Sequence, residues 1–457
     1  SIITEKYKEA GFILARAYIP PQKVEEGIVE IKIVEGFIDK VTVDGEVLGS
    51  RALLDSFISK IQASRPLKAS ILERYMLLMD DLPGVTARGL LRPSEKTVGA
   101  ADLVITIKHE RTELSFEANN RGTRYLGPYQ FTSIVRANSW LERYDKTYVR
   151  FVTVNQSEEL KFIDVYHSEP VGTEGATVSA SIIRSNSQPG STLKSSGLDS
   201  ENVSIDTEYS HPFIRSREQN FFGRVGASYR ETSTTSNGAP LTDDSVRVVR
   251  VGGQYDVVDS FDGVNLVDLE VTQGVDIWKS TNNNSGASRS NADNLFTKAL
   301  LNLSRYQPFS FWPEWKNIGL LVAGVGQYAT GPLFASEEIG IGGSSFGKAY
   351  DPSEISGDHG AAGKIELQYI KFLGMDYLVS YQAYGFYDGG AIWNDDPVSG
   401  ESGRSTLQST GLGIRMNFTD KLTGLLEVAF PLSRPVASEG FEDEHDPRFF
   451  FSIVNKF

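Results

Sequence analysis

The sequence predicts a small α+β unit followed by a 16-stranded antiparallel β-barrel that crosses a membrane. Three observations predict it. Helical spacing ends near residue 110 and does not return. From Arg111 to the end, strand-like segments alternate with Gly/Ser/Asn/Asp-rich turns. No run of about 18 apolar residues is available for a spanning helix. Yet 19 tyrosines and 25 phenylalanines stand against 4 methionines, a balance that suits half-apolar spanning strands with aromatic girdles.

Composition narrows the function classes. The 457 residues carry 45 Lys+Arg and 59 Asp+Glu, a net charge of -14. No basic block occurs, so no nucleic-acid partner is expected. With 0 cysteines, a disulfide scaffold and thiolate metal sites are excluded. The opening SIITEKYKEAG is not a signal peptide. It reads as a helix already under way, so a longer natural N-terminus is expected.

The elements follow in order. Residues 2–11 form an amphipathic helix that stops on Gly11. Residues 12–18 and 28–34 alternate as strands around Pro20-Pro21, and residues 38–43 form a third strand. Residues 51–62 and 70–80 have helical spacing; in the second, Ile71, Tyr75, Leu78 and Leu82 share a face. That stripe reads as core, with a groove lining by Tyr75 and Leu78 as the alternative. Leu82-Pro83-Gly84 stops the helix, and residues 85–91 and 101–108 close the unit as strands. The order β-α-α-β-β over 38–110 makes one small α+β domain, and residues 1–37 read as the end of a second copy.

The remaining strands are expected to start near Thr112, Tyr129, Lys146, Leu160, Gly175, Ser200, Asn220, Ser245, Gly263, Asn294, Trp315, Gly363, Tyr377, Ser405, Lys421 and Pro447. The spacing of roughly 22 residues fits a tilted spanning strand of about 10 plus a loop. Loops alternate long (STNNNSGASRSNAD) and tight (FTDK), as in outer-membrane barrels. In the last strand, Phe449, Phe451, Ile453 and Phe457 fall on one face.

One stretch, FGKAYDPSEISGDHG at residues 346–360, is neither strand nor simple turn. Long irregular segments in compact folds are usually functional, and this one is expected to be a loop between the eleventh and twelfth strands, at about 331–362. Chemistry finds little footing. Gly340–Gly347 lacks the GK[ST] ending of a phosphate loop, and Gly343-Ser344-Ser345-Phe346-Gly347 matches G-x-S-x-G without a following helix. The five histidines, His109, His167, His211, His359 and His445, show no zinc spacing. The run 442–446 lacks the EF-hand glycine and reads as a solvated turn. No cofactor, metal or catalytic residue is expected, and the chain reads as a non-enzyme.

These residues resemble a family along the whole chain: the two-partner secretion transporters (TpsB type) of the POTRA-carrying outer-membrane superfamily. YKEAGFILARAYIPPQKVEEGIVEIKIVEGFI resembles the second half of their first POTRA domain, and MLLMDDLPGVTARGLLRPSEKTVGAADLVITI the end of their second. GGSSFGKAYDPSEISGDHGAAGKIEL resembles their loop six, and YGFYDGGAIW, with Phe386-x-Asp388-x-Gly390, their motif on strand thirteen. The resemblance implies a partial POTRA domain at 1–37, a complete one at 38–110 and the barrel at 111–457. It implies loop six folded into the lumen, with Tyr350 and Asp358 in the loop. Where the family's tip carries arginine, this chain has Lys348, which would latch onto Asp388; Arg415 and Arg404 are the alternative partners. It implies an outer-membrane location with the POTRA units in the periplasm, a secreted TpsA-type client, contact with lipid and lipopolysaccharide, and a monomer. Strand 85–91, at Val85, Ala87 and Leu91, is the expected client-binding edge. A barrel insertase and a plain channel or receptor are the alternative functions.

Overall fold

The computed structural model describes residues 2–24, 27–282, 286–289, 291–397, 400–439 and 446–457. The acidic run 442–446 therefore lies, up to His445, outside the described residues. The chain begins with helix α1 (Ile2–Glu9) and a short antiparallel pair, β1 (Arg16–Tyr18) and β2 (Lys32–Val34). Both strands are shorter than the 12–18 and 28–34 expected from alternation. Pro20 and Pro21 lie between them, and proline cannot donate to a ladder.

The next unit is built as the spacing predicts. It runs β3 (Phe37–Gly45), α2 (Arg51–Ala63), α3 (Ala69–Asp80), β4 (Val85–Pro93) and β5 (Ala100–His109). The sheet order is β3-β5-β4, with β3 parallel and β4 antiparallel to β5. Strand β5 is therefore central and β4 is an edge. The helices bury one stripe each, Leu54, Phe57 and Ile61 against Tyr75 and Leu78, over Leu103, Ile105 and Ile107 of β5. Tyr75 and Leu78 are thus core residues, and Leu78 also lines a pocket where the unit meets the barrel rim.

All other long strands join one closed antiparallel barrel of 16. They are β6 (Thr112–Asn119), β7 (Gln130–Asn138), β8 (Lys146–Val154), β9 (Lys161–Val171), β10 (Ala176–Ser187), β11 (Leu198–Arg215), β12 (Gln219–Ser236), β13 (Ala239–Val258), β14 (Val264–Gly274), β15 (Thr297–Pro308) and β16 (Ile318–Ala329). After a small hairpin, β17 (Ile339–Ile341) and β18 (Ile355–Gly357), come β19 (His359–Met375), β20 (Leu378–Trp393), β21 (Arg404–Asn417), β22 (Leu422–Pro431) and β23 (Arg448–Lys456). Two starts differ most from expectation. Strand β13 begins at Ala239 rather than near Ser245, because Asn237 and Gly238, both at positive φ, form a tight hairpin turn that lets the ladder extend outward. Strand β19 begins at His359 rather than Gly363, because the glycine-rich start still pairs with Trp393 and Ile392 of β20.

Alternation sorts the faces. On β19, Ile365 and Leu367 are half exposed on the outside while Glu366 and Gln368 are buried inside. On β23, Phe449 and Ile453 point outward and Phe450 is buried. Strand β23 closes the barrel on β6 from Ser452↔Asn119 to Lys456↔Ser115. The Asn120 side chain prolongs this seam, bonding Phe449 O and Phe451 N at 2.7 Å each.

The α+β unit is clamped to one rim of the barrel. Tyr144, on the β7–β8 turn, is fully buried in the core of that unit and stacks on His109 at 6.1 Å. Arg215 grips Asp81 through two 2.7 Å contacts. Lys60 and Arg74 pair with Glu174 on the β9–β10 turn, which also accepts from Tyr75. Burial pushes the Glu174 carboxyl up, but the Lys60 and Tyr75 hydrogen bonds and the Arg74 charge outweigh it and hold it below the usual 4.5. Burial, with Arg111 nearby and Glu46 opposing, lowers the His109 imidazole below 6.5.

Both shifts act in the same direction on acidification. A group with a lowered folded pKa binds fewer protons in the folded junction than in the released one, so stability falls as pH falls. The His109 contribution is present above pH 6.5 and is lost below it; the Glu174 contribution is lost below 4.5. Amide exchange at the junction is expected to rise as pH drops below 6.5, after correction for intrinsic rates, and His109→Phe is expected to remove the upper part of that rise. Tyr144→Ala is expected to cost roughly 3 kcal/mol at this junction, read as proteolysis between the unit and an intact barrel.

Candidate functional site

Between β16 and β19 the chain folds back into the lumen. The β17–β18 hairpin pairs Ile339↔Gly357 to Ile341↔Ile355, which satisfies its own backbone away from the wall. Gly347, at φ +73°, turns the chain at the tip. On the wall, Gly390 makes room: a Cβ there would lie 2.8 Å from the Ile341 side chain. Tyr350, Ile341 and Ile355 pack on Phe386, Ile392 and Leu407 of the wall.

The tip is held by charge. The Lys348 ammonium, 3% exposed, sits 3.2 Å from both Glu366 on β19 and Glu427 on β22. It also lies over the rings of Phe386 (4.3 Å) and Tyr384 (4.8 Å). Arg415 on β21 forks onto Glu366 at 2.7 and 3.1 Å. Arg121, just after β6, bonds Glu427 and donates to the Lys348 carbonyl at 2.9 Å. Three cations (Lys348, Arg121, Arg415) thus pair with two carboxylates (Glu366, Glu427), with Lys364 and Asp388 close by.

Asp388 plays a different part from the one expected. Its carboxylate does not meet the Lys348 ammonium. It accepts the Lys348 main-chain N–H at 3.2 Å and the Ser409 hydroxyl. The long lysine stem carries the charge past β20 to Glu366 and Glu427, so a side-chain latch between Lys348 and Asp388 is replaced by a main-chain one. The alternatives fail too: Arg415 serves Glu366, and Arg404 lies 5.7 Å from the Trp393 ring. The Tyr350 hydroxyl, with one proton to share, lies 3.1 Å from Gln408 O and 3.2 Å from Arg434 O. Arg448 binds Ala349 O at 2.9 Å and Asp351 at 2.7 Å.

Asp358 is not at the tip. It lies at the base of the loop, 2.6 Å from Arg289 on the β14–β15 loop. Arg289, 2% exposed, also meets Glu338 (3.3 Å), Glu401 (3.0 Å) and Leu333 O (3.0 Å). Beside it, Leu333 and Phe334 share an apolar cluster with Ala287, Ala292 and Phe296. Loop six is therefore fixed at two levels. Val85, Ala87 and Leu91 lie elsewhere, on edge strand β4. Sequence reasoning missed Glu366, Glu427, Arg121, Arg448 and Arg289. The one available signal was a charged residue on the inward face of a strand, as at Glu366.

The chemistry of this site is electrostatic closure. Among the described residues no cluster of three or more His, Asp or Glu is placed to hold a metal. Removing one partner from a buried pair costs roughly 3–5 kcal/mol, far more than exchanging the whole pair for apolar groups. Lys348→Met is expected to loosen the tip by about that amount, read as higher ion conductance of the purified barrel in planar bilayers. Adding Glu427→Gln is expected to loosen it further, because Arg121 then loses its carboxylate as well.

Comparison with known proteins agrees with this geometry. The family described as haemolysin secretion/activation protein ShlB/FhaC/HecB matches residues 99–416, and the ShlB-type POTRA domain matches residues 1–36. The heme/hemopexin transporter protein HuxB of Haemophilus influenzae (strain 86-028NP) is 24% identical over 477 aligned positions, covering 100% of this chain and 80% of HuxB. The structure of CdiB from Escherichia coli superposes with a TM-score of 0.80 at 18% identity, over 100% of this chain and 83% of that one. BamA from Haemophilus ducreyi, lacking POTRA domains 1–3, superposes at 0.59 and 13% identity, over 100% and 93%. The match at 99–416 takes in most of the barrel, including the loop and its wall partners Glu366, Asp388 and Arg415, and the chain belongs to the haemolysin secretion/activation (ShlB/FhaC/HecB) family of outer-membrane two-partner secretion transporters.

Proposed function

We propose that the chain captures one cognate TpsA-type protein in the periplasm, at the edge of β4, and passes it through the barrel as an extended segment. In this reading residues 1–37 are part of a first POTRA domain, 38–110 a second, and 111–457 the barrel. The observation that carries the reading is the pairing of a lumen filled by a side-chain-held loop with an open sheet edge clamped at the entrance rim. An edge strand offers unpaired N–H and C=O groups to an extended chain whatever its sequence. The clamp through Tyr144, Arg215 and Glu174 fixes that edge relative to the pore.

Transit then requires the tip to leave its cluster. Lys348 would lose Glu366 and Glu427 together, and its carbonyl would lose Arg121, while the wall pairs Arg415–Glu366 and Arg121–Glu427 stay in place. Client capture and client folding outside would supply the free energy. Outward residues such as Ile365, Leu367 and Phe449 contact lipid, the outer loops meet lipopolysaccharide, and a single chain suffices because the barrel closes on itself.

Deleting the gene and examining the medium tests this. One large secreted protein is expected to disappear while other outer-membrane barrels stay at normal levels. General loss of barrels would instead indicate an insertase. In the complemented strain, Asp388→Ala is expected to lower secretion with the barrel still assembled; normal secretion by that variant would remove the proposed role of the tip.

A further inference from the structure

The edge of β4 is open along only part of its length. Val85, Ala87, Gly89, Leu91 and Pro93 alternate with residues whose main chain pairs to β5, so their own N–H and C=O groups point off the sheet. Two of the outward N–H groups are occupied. Val85 N–H donates to Leu82 O at 3.0 Å, and Ala87 N–H donates to the Asp80 carboxylate at 2.8 Å. Pro93 has no N–H to offer. Among the described residues, Gly89 and Leu91 alone keep outward N–H groups with no partner on this strand.

Asp80 occupies an unfavourable place for its charge. It is the last residue of α3, where the helix dipole opposes a carboxylate. Its neighbour Asp81 is offset by Arg215. Asp80 meets the edge N–H of Ala87 instead. Beside the open part of the edge runs a groove between α3 and β4, lined by Leu72, Met76, Leu91 and Leu103, with Glu73 and Arg217 among its charged residues.

We infer that Asp80 and Pro93 bracket the capture edge, so that the client pairs at Gly89 and Leu91 and cannot extend toward Val85. Asp80 is then a register-setting residue: it holds the donor that a longer pairing would need. The occupant is an extended segment of the secreted partner with apolar side chains on alternate positions facing α3. This inference rests on the capture reading above and adds where on the strand capture occurs.

The test uses the full-length chain in cells that release its partner. A photo-crosslinking benzoylphenylalanine is introduced singly at Thr86, Leu90 or Arg92, whose side chains are exposed beside the edge. Adducts to the secreted protein are expected at Leu90 and Arg92, with Thr86 lower by about five-fold, the factor matching one ordinary hydrogen bond. Asp80→Ala is expected to bring Thr86 up to the level of Leu90; Asp80→Asn, which keeps an acceptor, is expected to retain the original map. Amide exchange checks the fold: Asp80→Ala is expected to speed exchange at Ala87 and leave Leu103 and Ile105 protected. Equal adducts at all three positions in the native chain, or a map unmoved by Asp80→Ala, overturn the bracket while leaving capture on β4 intact. Absence of adducts everywhere during normal secretion overturns capture on β4 and the bracket with it.

Discussion

A lysine ammonium buried between two carboxylates, Lys348 between Glu366 and Glu427, is the contact on which the closed lumen depends. A barrel of 16 strands is too wide for its own wall residues to fill. Something else must occupy the interior, and here a loop of the same chain does. Irregular backbone at membrane depth is tolerated only where it is buried in protein or lines water. Loop six meets that condition by pairing with itself in the β17–β18 hairpin and by handing the tip's main-chain groups to Asp388, Arg121 and Arg448.

The charges make the geometry of this closure strict. A tip of leucines in the same place would pack well against Phe386 and Leu407, and nothing would favour its release. A cluster of buried ion pairs behaves differently. Desolvation and attraction nearly cancel, so the net stabilisation is small while the geometry is strict. The base of the loop follows the same rule, since Arg289 faces Asp358, Glu338 and Glu401 and is backed by the Leu333 and Phe334 cluster. Both ends of the loop are thus held by a buried cation among carboxylates against an apolar cluster.

Much of this was legible in the residues. Period-2 alternation and the turn residues located all 16 strands, because each lipid-facing side must be apolar and each turn needs Gly, Asn, Asp or Ser. The exceptions have local causes: Asn237-Gly238 extends a hairpin past the expected start of β13, and His359 to Gly363 read as turn yet pair in the ladder. The motif residues Phe386, Asp388 and Gly390 do meet the tip. Who pairs with whom was not legible. Lys348 and Glu427 are 79 residues apart and meet only because the barrel brings β22 around to β19. Arg289 lies in a polar loop whose composition suggested only solvent exposure. Alternation reports which face a residue takes, and ion pairs across a lumen depend on closure of the ring.

The most direct test of the docked tip is a tether. Ala349 N–H lies 3.4 Å from Ser409 Oγ on β21, and the chain has 0 cysteines to interfere. Cysteines at 349 and 409 in the assembled protein are predicted to form a disulfide under mild oxidation, in most molecules and with the barrel intact. If both thiols stay reduced and react with a membrane-impermeant maleimide from outside the cell, the tip is not where this account places it.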